Sequence, residues 1–315
     1  MKKLFLLLSF LAILFGGYAQ NSSETVNFIV VSDMRRHGKS EQKNIAEVMS
    51  RFVEQNKIEF LAVAGDPIHD SGVKSTDDEE WILKIENVYT APSLHAIPWY
   101  VVSGNHEYNG SVQAILDYSQ KSERWNAPAR YFAQEHTMDT TGQKILLVYI
   151  DTSPLIDKYR NSGKYSDAGK QDMEQQLHWL DSILMVSNDS WKIVIGHHPV
   201  YATTNKDKSE RTDMQQRVGK ILEHRGADVY ICGHIHNFQH LKPEGSNVHY
   251  VVNSAASNSR KIHEPNFQGL IFGNADPGFT SFSISEKTLS FSFINHQNEQ
   301  VYSYQIPKIY TKTRQ

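Results

Sequence analysis

Apolar runs rich in β-branched and aromatic residues occupy positions 26–31, 60–64, 99–102, 145–150, 192–195 and 229–232. Each is short and nearly continuous, the pattern of a strand buried on both faces. Amphipathic helical stretches fall between several of them, at 41–55, 77–89, 112–121, 171–186 and 213–225. Strand alternating with helix restricts the chain to layered α/β architecture. Thr76 with Glu79 and Thr212 with Gln215 have capping-box spacing, and Gly226 stands where a C-terminal glycine is expected.

After Gly245 the pattern changes to closely spaced strands at 248–252, 279–284, 289–294 and 301–306, which predicts a second sheet packed against the first. Asn- and Gly-rich segment 258–276 reads as a long loop bordering a site. No repeat or linker interrupts the chain, so one domain is expected over 24–315.

With 315 residues, 39% of them hydrophobic, the chain can build a substantial core. The formal charge of -3 and the lack of a basic stripe argue against a nucleic-acid partner. Met1-Lys2-Lys3, the apolar run 4–15 and Gly16-Gly17-Tyr18-Ala19 have the layout of a secretory signal peptide. Cleavage is expected after Ala19, giving an exported protein, periplasmic or secreted. The apolar run is shorter than the ~20 residues of a spanning helix, so no membrane span is expected in the mature protein; the alternative is a retained anchor. Cys232 is the only cysteine, which excludes an intramolecular disulfide, and its apolar neighbours mark it as a buried hydrophobe.

Five of the strand candidates end in residues of metal-ligand type: Ser32-Asp33, Gly65-Asp66, Gly104-Asn105-His106, Gly196-His197 and Gly233-His234-Ile235-His236. Singly each is ordinary, since Asp and Asn form turns and a lone His is usually solvated. Gathered at one edge of an α/β sheet, they describe a site. The His234-x-His236 pair can aim two imidazoles at adjacent cations.

In this order the motifs resemble the signature of calcineurin-like metallophosphoesterases, specifically the small purple acid phosphatases of the tartrate-resistant type. The likeness extends to Trp99-Tyr100-Val101-Val102-Ser103, Arg124-Trp125-Asn126-Ala127-Pro128, His198-Pro199-Val200, Asn237-Phe238-Gln239 and Gly278-Phe279. It implies a four-layer fold, with two mixed β-sheets packed as a central sandwich flanked by helices. It also implies two metal ions bridged by Asp66, the first also held by Asp33 and His236, the second by Asn105, His197 and His234. N and O donors of this kind suit Fe, Mn or Zn. Asn105 and His106 would face a small phosphate-ester substrate. His106 would assist the leaving group as hydroxide attacks, or would serve only to orient Asn105.

The sequence departs from the family at three places. The iron-binding tyrosine expected three residues after the bridging aspartate is His69, and no histidine lies two residues after Asp33. His69 is expected to replace the phenolate as a ligand, favouring divalent ions at both sites; the alternatives are an exposed His69 or a role for His37. Ser32 and Arg35-Arg36 alter the first motif, where Arg35 either clamps a phosphate or is solvated. Loop 202–211 lacks a histidine that mammalian relatives carry, and His198 is the candidate to compensate in substrate binding. The expected activity is that of an exported acid-phosphatase-type phosphomonoesterase. The alternative enzyme is a phosphodiesterase or nucleotide pyrophosphatase with the same centre. A binding protein without catalysis would have lost His106 or Asp66, and both are present.

Overall fold

A computed structural model describes residues 25–34, 40–138, 141–264 and 266–308. The export segment 1–19, Arg35, Arg36 and His37 lie outside the described residues. In chain order the strands are β1 (Val26–Val31), β2 (Phe60–Ala64), β3 (Trp99–Val102), β4 (Trp125–Asn126), β5 (Phe132–Thr137), β6 (Lys144–Tyr149) and β7 (Trp191–Ile195). They continue with β8 (Val229–Cys232), β9 (Phe238–Leu241), β10 (His249–Val252), β11 (Leu270–Asn274), β12 (Gly278–Ile284), β13 (Thr288–Asn295) and β14 (Gln300–Pro307).

Two seven-stranded mixed sheets result, ordered β14-β13-β12-β1-β2-β3-β4 and β11-β9-β10-β8-β7-β6-β5. Strands β1 to β4 are mutually parallel, as are β6, β7, β8 and β10. The period of two along β1 shows why its run is apolar throughout. Phe28 and Val30 enter the core between the sheets, with Phe60, Ile193, Ile231 and Phe293. Ile29 and Val31 face outward, under Ile45, Val48 and Met49 of helix Ser40–Gln55. On the far side, Val148 and Val194 meet Leu180 and Leu184 of helix Met173–Val186 and Met214, Val218 and Leu222 of the helical run 208–225. Helix, sheet, sheet and helix thus form four layers. Each side chain fully buried in them contributes about 1.5–3 kcal/mol.

Several expectations are corrected. The strands after Gly245 do not form a sheet of their own: β12 pairs antiparallel with β1, whereas β10 pairs with β8. Local periodicity shows that a strand exists but not which edge it joins. Only Ile82–Glu86 of the expected helix 77–89 forms a named helical element, a π-helical turn. Asp78 breaks the start, its carboxylate accepting from the backbone N–H groups of Lys74 and Glu80. Helical run 208–225 begins earlier than expected, capped by Asp207 rather than Thr212, whose hydroxyl donates to the Lys208 carbonyl. The segment 258–276 contains β11. Gly226 does close its helix in a left-handed conformation. Among the described residues no helix is long and apolar enough to cross a membrane.

Candidate metal centre

Asp33, Asp66 and Asn105 follow the C-terminal ends of β1, β2 and β3 in one sheet; His197 and His234 follow those of β7 and β8 in the other. The two parallel sets therefore present polar side chains to each other across the seam between the sheets. Asp33, Asp66, His234 and His236 have φ of 50°, 52°, 69° and 64°. A left-handed conformation at a non-glycine residue costs on the order of 1–3 kcal/mol and persists where the surroundings enforce it for function. Gly104 serves crowding rather than turning, because a Cβ there would lie 2.2 Å from Asp66 Oδ1.

Asp33 Oδ1 lies 3.0 Å from His236 Nε2 and 3.6 Å from His69 Nε2. Asp66 Oδ2 lies 3.0 Å from His197 Nε2, 3.7 Å from His69 Nε2 and 3.9 Å from His106 Nε2. His234 Nδ1 is 3.2 Å from His197 Nε2. Donor atoms of Asp33, His69 and His236 lie within 4.8 Å of one another, as do those of Asp33, Asp66 and His197. Asp33 belongs to both groups, and Asp66 joins His69 and His106 in a third. His69 is 3% exposed, so the reading of it as a merely exposed residue is corrected.

The donor set fits bound cations. Asp33 Oδ1, both ring nitrogens of His69 and Asn105 Oδ1 are buried without a hydrogen-bond partner. Leaving a buried polar atom unpaired costs about 1–3 kcal/mol, so such atoms at these strand ends point to partners of another kind. Backbone carbonyls take the rear nitrogens: His197 Nδ1 donates to Ala64 O and His236 Nδ1 to Asn258 O, both at 2.9 Å. That leaves Nε2 to face inward, the second contact by which metal-binding histidines are oriented.

The electrostatics agree. Burial opposes ionisation of Asp33 and Asp66, yet His236 beside the first and His197 beside the second hold both carboxyls well below the usual range. Burial keeps the His69 imidazole down at about 4, against the pull of Asp66 and Asp33, leaving the neutral form that binds metals. Burial also lowers His197, but Asp66 overrides it and brings it up to about 9.

His106 stands at the opening, its side chain 29% exposed, with Nδ1 donating to Asp70 O at 3.0 Å and Nε2 free to meet a substrate. His198 requires a correction, since it is fully buried rather than facing an opening. Its Nδ1 bonds Thr152 Oγ1 at 2.8 Å, and its ring packs on Tyr159 and His234. Its Nε2 is unpartnered, and the residue lies within ligand distance of His197 and His234.

Three supporting residues escaped the sequence reading, and a fourth, Glu107, closes the Gly104-Asn105-His106-Glu107 motif with no role assigned to it. Glu107 accepts from the backbone N–H groups of Gly104 (2.7 Å), Asp66 (3.2 Å) and Ile68 (3.2 Å), clamping two ligand loops together. Burial and the nearby Asp66 push its carboxyl up to about 8, against those donors. Lys84 Nζ donates to His69 O at 3.2 Å. Glu210 Oε2 and Lys206 Nζ each lie 3.0 Å from His234 Nε2. Only Glu107 had a signal in the sequence, a carboxylate two residues beyond Asn105; the others sit on helices or loops remote from any motif.

The calcineurin-like phosphoesterase family model matches residues 26–238, from β1 through the His234-x-His236 pair. Purple acid phosphatase 4 of Arabidopsis thaliana is 29% identical over 303 residues, covering 93% of this chain and 86% of its own. Tartrate-resistant acid phosphatase type 5 of Homo sapiens is 27% identical over 314 residues, covering 94% of this chain and 95% of its own. Among solved structures, GAP50, the anchor in the inner membrane complex of Plasmodium, shares the fold with a TM-score of 0.79 at 19% identity, covering 92% of this chain and 90% of that one. On these matches the chain belongs to the calcineurin-like phosphoesterase family and is a metal-dependent phosphatase similar to the purple acid phosphatases.

Proposed function

We propose that the protein is an exported phosphatase that hydrolyses phosphate monoesters at a centre of two divalent cations. The observation that carries the reading is the convergence of buried donor atoms from Asp33, Asp66, His69, His197 and His236, with both ring nitrogens of His69 unpartnered. Asp33, His69 and His236 would hold one cation, Asn105, His197 and His234 the other, and Asp66 both. Two cations supply Lewis-acid stabilisation of phosphoryl oxygens and a hydroxide nucleophile near neutral pH. A neutral imidazole at His69, in place of a phenolate, removes the negative charge that favours a trivalent ion; the protein is expected to be colourless.

The chain's own contribution is orientation and proton delivery. Asp70 O holds His106 Nδ1–H, so the proton to be delivered is the one carried on Nε2, which lies 3.9 Å from Asp66 Oδ2. Passing it to the departing ester oxygen leaves a neutral imidazole still anchored by Nδ1–H, ready to be reprotonated from solvent. Such a group typically contributes about 10²–10⁴ in rate.

The test is to strip the protein, restore Fe, Mn or Zn separately, and compare nitrophenyl phosphate with bis-nitrophenyl phosphate. Two cations per chain and faster turnover of the monoester are expected. Lack of turnover with every metal would overturn the reading, and faster turnover of the diester would replace it with a phosphodiesterase. Export rests on the N-terminal pattern of the sequence, and the mass of the secreted chain checks it, with Gln20 expected as first residue.

A further inference from the structure

The Nε2 atom of His234 is claimed by two groups that cannot both be satisfied. Glu210 Oε2, at 3.0 Å, needs an N–H to accept from; the Lys206 ammonium, also at 3.0 Å, needs a lone pair to donate to. Which of them prevails depends on the other ring nitrogen, Nδ1, which faces His197 Nε2 at 3.2 Å in the heart of the centre. An imidazole that gives its Nδ1 lone pair to a cation carries its hydrogen on Nε2. The hydrogen then belongs to Glu210, and Lys206 is left without an acceptor on this ring.

Glu210 is already engaged by other donors. It is 3% exposed, and its Oε1 already accepts from Lys158 Nζ at 2.6 Å and Tyr159 OH at 3.0 Å. The Lys206 main chain is tied down, its N–H donating to Thr204 Oγ1 at 3.1 Å and its carbonyl accepting from Arg211 Nη1 at 3.3 Å. Only the four-carbon stem is free to move. Asp33, Glu210 and Asp66 attract the ammonium electrostatically and Arg260 repels it. The released charge is thus confined to the rim of the centre, and the Arg260 cation beside it opposes its burial rather than pairing with it.

We infer that in the metal-loaded protein Lys206 turns from His234 to the substrate and binds the non-bridging oxygens of its phosphate, selecting dianionic monoesters over monoanionic diesters. This rests on the phosphatase reading above and extends it to substrate class. At equal distance a cation attracts a dianion twice as strongly as a monoanion, and an ammonium–phosphate hydrogen bond is charge-assisted. Lys206 supplies in loop 202–211 the substrate contact for which His198 was the candidate in the sequence.

The experiment uses the full-length, metal-loaded protein and its Lys206→Gln variant. The dissociation constant of inorganic phosphate is measured by calorimetry, kcat/KM for nitrophenyl phosphate and bis-nitrophenyl phosphate by assay, and metal content by elemental analysis. Lys206→Gln should weaken phosphate binding about tenfold, the scale of one charge-assisted contact. The monoester-to-diester ratio of kcat/KM should fall by a similar factor, with two cations still bound, and Lys206→Arg should recover most of both. Unchanged phosphate affinity and ratio at full occupancy would overturn the inference. So would loss of a cation from Lys206→Gln, which would make Lys206 a support of His234. An inactive wild type would sink the phosphatase reading separately, because the phosphate constants can still be compared.

Discussion

Among the described residues, histidines are buried in two clusters built on opposite principles. In the metal centre, His69, His197 and His236 each stand within 4 Å of a carboxylate oxygen, and neither nitrogen of His69 has a hydrogen-bond partner. Between the sheets near β14, His240 and His249 form a closed chain. Lys242 Nζ lies 3.2 Å from His249 Nε2, His249 Nδ1 lies 2.9 Å from His240 Nε2, and His240 Nδ1 lies 2.9 Å from Tyr302 OH. A charged lysine at one end makes His249 Nε2 an acceptor, which sets both tautomers and delivers the last N–H to the tyrosine. Every ring nitrogen is satisfied, and Phe291 and Tyr304 pack against the His240 ring. Burial of imidazole therefore says little by itself. What distinguishes a binding centre is a lone pair facing carboxylates and other lone pairs instead of a donor.

The sharpest way to break this contrast is to neutralise Asp66, the carboxylate proposed to serve both cations. Asp66→Asn should lower kcat/KM by roughly 10³-fold or more, the scale of removing a principal electrostatic element, whereas His240→Phe should leave turnover within about threefold. Near-equal activities of Asp66→Asn and wild type would dissolve the distinction. His106→Asn should reduce kcat by about 10²-fold while two cations remain bound, as elemental analysis would show. If the cations leave as well, His106 serves to hold Asn105 in place.

His69→Ala should bind one cation per chain, as read by metal titration; full occupancy of both sites would show that His69 belongs with the structural histidines. Glu210→Gln should weaken metal affinity by about 10–100-fold, the usual cost of losing a carboxylate behind a ligating imidazole, with little change in the metal-free melting temperature.

The smallest effect concerns acid. Burial, reinforced by the nearby Lys242, holds His240 at about 3 and His249 at about 4, against an ordinary value of 6.5. The unfolded chain takes up protons that the folded chain refuses, so stability falls as pH drops below 6.5 and levels off only near 3–4. The slope is at most about 1.4 kcal/mol per pH unit for each histidine, an order-of-magnitude figure. Denaturant melts of His240→Phe against wild type at pH 7 and pH 5 should show the variant losing less; identical losses would remove this cluster from the account.

Much of this was legible in the sequence. Strands buried on both faces declare themselves by composition alone, and β1, β2, β3 and β8 have the expected bounds. The positions that follow them had to be polar in a way no core requires, which is why Asp33, Asp66, Asn105, His197 and His234 could be picked out. Pairing of the last strands with β1 was not legible, because it joins residues far apart in the chain: Val26 sits opposite Ile284. Lys84, Lys206 and Glu210 were hidden for the same reason. Each touches a candidate ligand 15, 28 or 24 residues away, through a contact that exists only in the folded chain.

The seam between the sheets has one more consequence. Asp33, Asp66 and Asn105 belong to one sheet and the histidines at 197, 234 and 236 to the other, so neither half can assemble a complete donor set alone. Cations that bind there bind only the finished sandwich, and by mass action they draw the chain toward it. The ions would thus act as rivets as well as reagents. A chelator in the surroundings would shorten the life of the folded protein as surely as it would stop its chemistry.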